Sequence, residues 1–213
     1  QYYFWVRSNC GATDGSSFWI GPLLATTTQI PAPVNFNEGF EGDSSGWTFT
    51  NGTQTNKWII GSAVANGGTK SLYITNDNGV TNAYTTSSAS TTTHAIRDLS
   101  FPVNASEANI SFDWRALGEN GIYDYMRVWL VPVTFTPVAG TQITQANSGG
   151  IQIGENFFQQ ANWQSYSQLL DVNAYAGQTR RLIFEWRNDS SGGNQPPAAV
   201  DNIDVRLITC PRP

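Results

Sequence analysis

The chain of 213 residues carries 11 basic and 16 acidic side chains, a net charge of −5, so the basic surface that nonspecific nucleic-acid binding requires is missing. Charged residues make up only 13% and aromatic residues another 13%, with Gly, Ser, Thr and Asn plentiful, a balance typical of secreted all-β proteins. No run of eighteen apolar residues and no basic start leading into an apolar stretch occurs, so the sequence shows neither a membrane-inserting helix nor a signal peptide; for an exported protein the signal lies outside this segment.

Residues 1–28 read as a β-hairpin. Aromatic and β-branched residues fill "QYYFWVR" and return in "FWIGPLL", separated by "SNCGATDGSS", whose Gly, Asp, Asn and Ser favour a turn. Two strands alone are marginally stable in water, so this hairpin needs a partner. The run "YYFWVRSNCG" with "WIGPL" and its Thr-rich exit resembles the last two strands of a bacterial fibronectin type III module. "LITCPRP" resembles the start of another, which sets 209–213 apart as the head of a following module. The resemblance implies a segment cut from a longer array. The unpaired hairpin edge also predicts assembly through these strands, since open edges recruit other strands.

Residues 29–34, with two prolines and little periodicity, read as a linker. Nine alternating runs follow, beginning at Trp47, Lys57, Lys70, Thr93, Ala108, Asp124, Trp163, Thr179 and Ala198. In "ISFDWRA" the set Ile110, Phe112, Trp114 opposes Asp113 and Arg115. In "LIFEWR" Leu182, Phe184 and Trp186 oppose Ile183, Glu185 and Arg187, and in "NIDVRL" Ile203, Val205 and Leu207 oppose Asp204 and Arg206. Half-buried strands without an amphipathic helix predict a two-sheet β-sandwich over residues 35–208.

Four blocks in order, "NEGFEGDSSGWTF", "GTKSLYITNDNGVTNAY", "ISFDWRALGENGIYDYMRVWLVP" and "AAVDNIDV", resemble the jelly-roll domains of bacterial surface proteins. These are the choice-of-anchor J or cleaved-adhesin domains, similar to the eukaryotic MAM domain. The resemblance implies a MAM-like jelly roll in an exported, multi-domain adhesin or polysaccharide-degrading enzyme of the Bacteroidota, alongside fibronectin-like modules. It further implies a structural calcium between an early "FE" and a late "DNI", positions that Glu41 and Asp201 match. Glu38, Asp43 and Asn202 join that set by proximity alone, since a jelly roll brings its first and last strands together and calcium takes several oxygen ligands. Acidic residues in Gly-rich loops also serve turns, the competing reading for Asp43 and for "NDNG".

His94 is the only histidine and lies in no nucleophile motif, so it reads as a polar strand residue. The carboxylates Asp113, Glu119, Asp124 and Glu185 are the candidates for a glycosidase pair. Arginines at strand-face spacing (Arg115, Arg127, Arg187, Arg206) explain most of them as cross-strand ion pairs instead. Of the eight tryptophans, Trp47, Trp58, Trp114 and Trp186 fall at core phases. Trp129 and Tyr125, in phase with Arg127, and Tyr73, opposite Leu72 and Ile74, are the candidate exposed platform for sugar rings. Arg115, Arg127 and Arg187 beside it favour an anionic glycan.

Cys10 and Cys210 are the only cysteines: they pair with each other, or each belongs to the module on its own side. The sequons at Asn51, Asn104, Asn109 and Asn188 suit an extracellular surface. These readings predict a non-catalytic extracellular adhesion or structural domain of a long bacterial surface protein or fibre, partnered by its neighbouring modules. The alternative is a carbohydrate-binding module, on cell-surface or algal glycans, appended to a secreted enzyme.

Overall fold

The computed structural model describes residues 2–25, 29–87 and 89–208, and its architecture follows from the alternation in the strands. The hairpin pairs β1 (Tyr2–Val6) with β2 (Ile20–Ala25), antiparallel, as a two-stranded sheet of its own. Among the described residues, twelve further strands build the sandwich: β3 (Ala32–Pro33), β4 (Phe36–Glu38), β5 (Trp47–Thr50), β6 (Lys57–Gly61), β7 (Ser71–Thr75), β8 (Thr91–Ser100), β9 (Glu107–Ala116), β10 (Tyr125–Pro132), β11 (Ile151–Phe157), β12 (Gln160–Asp171), β13 (Thr179–Asn188) and β14 (Ala199–Ile208). The first sheet has the order β11-β10-β13-β8-β3 with β5 also on β8; the second has β12-β9-β14-β7-β6 with β4 also on β14. The chain passes repeatedly from one sheet to the other, as a jelly-roll β-sandwich does, and among the described residues only β3 on β8 is parallel.

The expected inward sets close the core. Phe112 meets Phe184 edge to face at 5.5 Å between ring centres, Trp47 lies 6.1 Å from Phe184, and Trp58 and Trp186 are fully buried. Trp114 is half-buried against the same core. Residues 29–34, read as a linker, are instead fastened to the first sheet. Gln29 donates its amide N–H to the Ile96 carbonyl at 2.9 Å and accepts from the Asp98 N–H at 2.7 Å, while Ala32 and Val34 are buried. Asn188 is fully buried, which removes that sequon from the surface. Cys10 is exposed; Cys210, its partner in one of the two readings, lies outside the described residues.

The outward face of the first sheet is not solvent. Residues 133–148 cross it as a strap, burying Ile96, Trp129, Val131, Ile143 and Ile183 in a second, smaller apolar cluster that Phe135 packs against. A polar row lies beside it across three strands. Arg127 and His94 are both register partners of Glu185, which is fully buried. Its Oε1 accepts from Arg127 Nε at 2.9 Å, and its Oε2 accepts from His94 Nε2 at 3.1 Å and from the Ile143 backbone N–H at 2.6 Å. Arg127 also donates to the Ile143 carbonyl at 2.9 Å, and Asp98 pairs with Arg181, which donates to the Phe135 carbonyl at 2.8 Å. A reciprocal capping box between Thr144 and Asn147 ends the strap.

Removing one partner of such a buried pair leaves a charge without compensation. Arg127→Ala is expected to destabilise the fold by about 3–5 kcal/mol. The double variant Arg127→Ala, Glu185→Gln is expected to lose clearly less than the sum of the single losses. Urea unfolding of the four proteins measures the coupling; additive losses would contradict the arrangement.

Candidate functional site

With the strap in place, the aromatic platform expected on the first sheet does not form. Tyr125 is 6% and Trp129 4% exposed, and Arg127 is spent on Glu185, Gln142 and Ile143. Alternation places these residues on the outward face correctly but says nothing of a covering segment. Tyr73 is likewise buried, its hydroxyl donating to the Gly79 carbonyl at 2.7 Å. Arg187 donates to the carbonyls of Ile122 and Tyr123, which leaves it unavailable to an anionic ligand.

The second sheet keeps an open outward face. Along β9, Asn109, Ser111, Asp113 and Arg115 share one phase and stand opposite Leu169, Ser167 and Ser165 of β12 on one side and Arg206, Asp204, Asp201 and Ala199 of β14 on the other. The Arg115 guanidinium lies 5.7 Å from the ring centre of the half-buried Trp163 and is braced by Asn82 Oδ1, which accepts from its Nε at 3.2 Å and from its terminal amine at 2.6 Å. Asp113 Oδ2 accepts from Asn66 Nδ2 at 2.8 Å and Asn202 Nδ2 at 2.9 Å, and its Oδ1 from the exposed Ser165 hydroxyl at 2.5 Å. The result is an indole and a guanidinium beside a band of amides, hydroxyls and a carboxylate, groups that stack on sugar rings and pair with their hydroxyls. Arg115, expected beside Trp129 and Tyr125, lies on the other sheet, because alternation along a strand does not say which sheet the strand joins; Trp163 was passed over because the register slips between Gln160 and Gln164 and breaks the alternation around it.

The residues expected to hold calcium are not gathered as one ligand set. Glu41 is tied to the loop after β6: it accepts from the Thr69 and Lys70 backbone N–H groups at 2.8 and 2.7 Å and from the Thr69 hydroxyl at 2.7 Å. The Thr69 bonds hold its carboxyl below the ordinary range. Asp43 caps its own turn by accepting from Ser45, and Glu38 accepts from Phe40 and from the Trp47 indole. Asp201 is fully buried and accepts from the Asn66 and Asn202 backbone N–H groups at 2.7 and 2.8 Å. Burial raises its pKa, opposed by those bonds and reinforced by the charges of Glu41 and Asp113.

A different trio converges at the end of the sandwich. Among the described residues, Glu119, Asp124 and Asp189 bring one carboxylate oxygen each within 4.8 Å of the others, a group able to take a metal ion. Asp124 is 1% exposed; it accepts from the Tyr84 hydroxyl at 2.6 Å and from the Asp189 N–H at 2.9 Å. Gly193, at φ +88°, lets the backbone pass where a β-carbon would collide with both Tyr84 and Asp124. Burial pushes the Asp124 pKa up, and burial followed by the Asp124 bond pushes that of Tyr84 up. Of the four carboxylates that are candidates for a glycosidase pair, Asp124 is buried against the Tyr84 hydroxyl and Glu185 is fully buried, so neither presents an oxygen to a glycosidic bond. Asp189 escaped notice because it sits in the turn "NDSSGGN" and not in a strand.

No protein-family model and no curated protein sequence matches the chain. Solved structures do resemble it. Carbohydrate-binding modules of the β-sandwich superfamily align with a TM-score of 0.51 at 15% identity, covering 91% of this chain and 69% of theirs. The CBM22-1 xylan-binding domain of Paenibacillus barcinonensis Xyn10C gives a TM-score of 0.49 at 14% identity, covering 87% and 100%. The K1 cleaved adhesin domain of Lys-gingipain from Porphyromonas gingivalis gives 0.49 at 14%, covering 82% and 98%. At these identities the likeness is one of fold.

The raised acid at Asp124 has a consequence for stability. A carboxyl with a folded pKa above its unfolded value takes up a proton more readily in the folded state, so its contribution to stability rises as the pH falls through that value. The melting temperature of the protein is therefore expected to gain on that of Asp124→Asn as the pH is lowered from about 7 to about 4. A constant difference across a pH series of thermal melts would contradict the assignment.

Proposed function

We propose that this chain is a non-catalytic β-sandwich module of a secreted protein that binds a neutral glycan along the open face of the second sheet. The observation that carries the reading is the Trp163 and Arg115 pair standing at the head of the polar band formed by Asp113, Ser165, Asn66 and Asn202. The shared fold with carbohydrate-binding modules of the β-sandwich superfamily supports it. A neutral ligand is favoured over an anionic one because Arg127 and Arg187 are committed elsewhere and Arg115 is braced by Asn82 and flanked by Asp113. The non-catalytic reading is supported by His94, which is fully buried against Glu185 beneath the strap, out of reach of any substrate. An adhesive or structural role in a larger surface protein is the second reading. It is favoured by the exposed aromatic residues of the β1–β2 hairpin, which the glycan face does not use. We place calcium, if the module takes it, on Glu119, Asp124 and Asp189. No lysine, arginine or histidine makes an ion pair with these three carboxylates among the described residues.

Two measurements test these readings. Isothermal titration against neutral and uronate-bearing oligosaccharides is expected to give saturable binding to a neutral one. Trp163→Ala should weaken that binding by roughly 2 kcal/mol, the loss typical of a central aromatic anchor. Binding unchanged in Trp163→Ala, or confined to uronates, would remove this face from consideration. Separately, millimolar calcium is expected to raise the melting temperature and Asp189→Asn to abolish most of the rise; an equal rise in both proteins would place the ion elsewhere.

A further inference from the structure

The edge strand β11 is broken in its middle. Val128 and Met126 of β10 stand opposite Ile153 and Phe157, so Arg127 alone lies across from Gly154, Glu155 and Asn156. A bulge of this kind takes the extra residues out of the ladder and re-aims their side chains. Gly154 makes the bend at φ +70°, where a β-carbon would collide with the rings of Phe157 and Tyr166. Two bonds hold the bulge in place: the Gly154 N–H donates to Gln168 Oε1 of β12 at 2.8 Å, and Asn156 Nδ2 donates to the Gly121 carbonyl at 2.5 Å.

Between the bulge and the loop at Gly121 and Ile122 lies a cleft of about 660 Å³. Small-molecule sites occupy ~300–1,000 Å³. Its apolar side is formed by Phe158 and by Ile122, which is 66% exposed. Phe158 packs so close on Gly121 that a β-carbon there would fall 2.5 Å from the ring. Its polar side is Gln152, Glu155 and Asn156. Gln152 turns its amide nitrogen to the Gly154 carbonyl and to Asn156 Oδ1, at 3.5 and 3.4 Å, and its own Oε1 accepts no bond among the described residues. Glu155 is exposed and makes no ion pair among them. Both walls are fixed before a ligand arrives, since Arg187 and Asn156 tie the carbonyls of Ile122 and Gly121.

An apolar ring set against carbonyl and carboxylate acceptors asks for a ligand with a C–H face and hydroxyl hydrogens, and a sugar ring has both. An anionic ligand would meet Glu155 with no cation to offset it. The cleft is open on one side, so a bound unit can stay joined to a longer chain.

We propose that this cleft is a second glycan site, which takes one neutral sugar unit independently of the face around Trp163. It rests on the reading of the chain as a glycan-binding module, and not on the residues assigned to the open face.

Spectra of the nitrogen-labelled protein report on both places at once, through the side-chain amides of Gln152 and Asn156 and the indole of Trp163. The probes are the methyl glycosides of xylose, glucose, galactose and mannose, and β-1,4-linked tetrasaccharides of the first three. The Gln152 and Asn156 amides are expected to shift saturably with at least one methyl glycoside, in Trp163→Ala as in the natural protein. Phe158→Ala is expected to abolish that shift, and Glu155→Ala, which alters only an exposed side chain, to weaken the affinity about tenfold or more. Amides that stay still while the Trp163 indole moves would overturn the cleft and leave the open face standing. Amides that move while Trp163 does not would uphold the cleft and remove the open face, and stillness at both places would overturn both. A shift of equal affinity in Phe158→Ala and Glu155→Ala would also overturn the cleft.

Discussion

The carboxylate of Glu185 is the constraint on which the layout turns. A charge buried in the middle of a sheet must be paired and fully hydrogen-bonded, and here the demand is met from three directions: Arg127 on one neighbouring strand, His94 on the other, and the Ile143 N–H from above. The third donor belongs to the strap. Satisfying Glu185 therefore draws residues 133–148 down onto the first sheet, where Ile143, Phe135, Trp129 and Ile183 exclude water around it. The polar row and the apolar cluster depend on each other, because the strap shields the ion pair and the ion pair fixes the strap.

That closure decides which surface is left for function. Both sheets carry polar and aromatic residues on their outward faces, but the first spends its arginines and aromatics on holding its cover. The second sheet is only partly roofed: the loop after β6 lies over Asp201 and meets Asp113 through Asn66, and Asn82 braces Arg115. The remainder of the face, from Trp163 to Ser165 and Ser167, stays accessible to a ligand that lies along the strands.

Much of this was legible in the sequence. The nine alternating runs all became strands, and the inward sets of β9, β13 and β14 were assigned to the correct face, since a period of two is imposed by the pleat itself. The elements passed over are those too short to show a period or interrupted by glycine: β3, β4 and β11. The errors at Tyr125, Trp129 and Tyr73 share one cause. Alternation tells which way a side chain leaves the sheet, and the cover above it is formed by segments without a period, such as "VTFTPVAGTQITQANS". The acidic trio was hidden for a related reason. Glu119, Asp124 and Asp189 come from two turns and a strand boundary; the register of β10 on β13 brings Asp124 to Asp189, and the Glu119 N–H bond to the Asp124 carbonyl with the Gly118–Asn194 bridge brings Glu119 to them.

The central claim is that the open face around Trp163 meets the ligand while the face holding Trp129 is sealed by the strap. Titration of the nitrogen-labelled protein with the bound oligosaccharide, followed through the tryptophan indole resonances, tests it most directly. The account predicts that the Trp163 indole shifts with the ligand and the Trp129 indole does not. Movement of Trp129, with Trp163 unaffected, would contradict it.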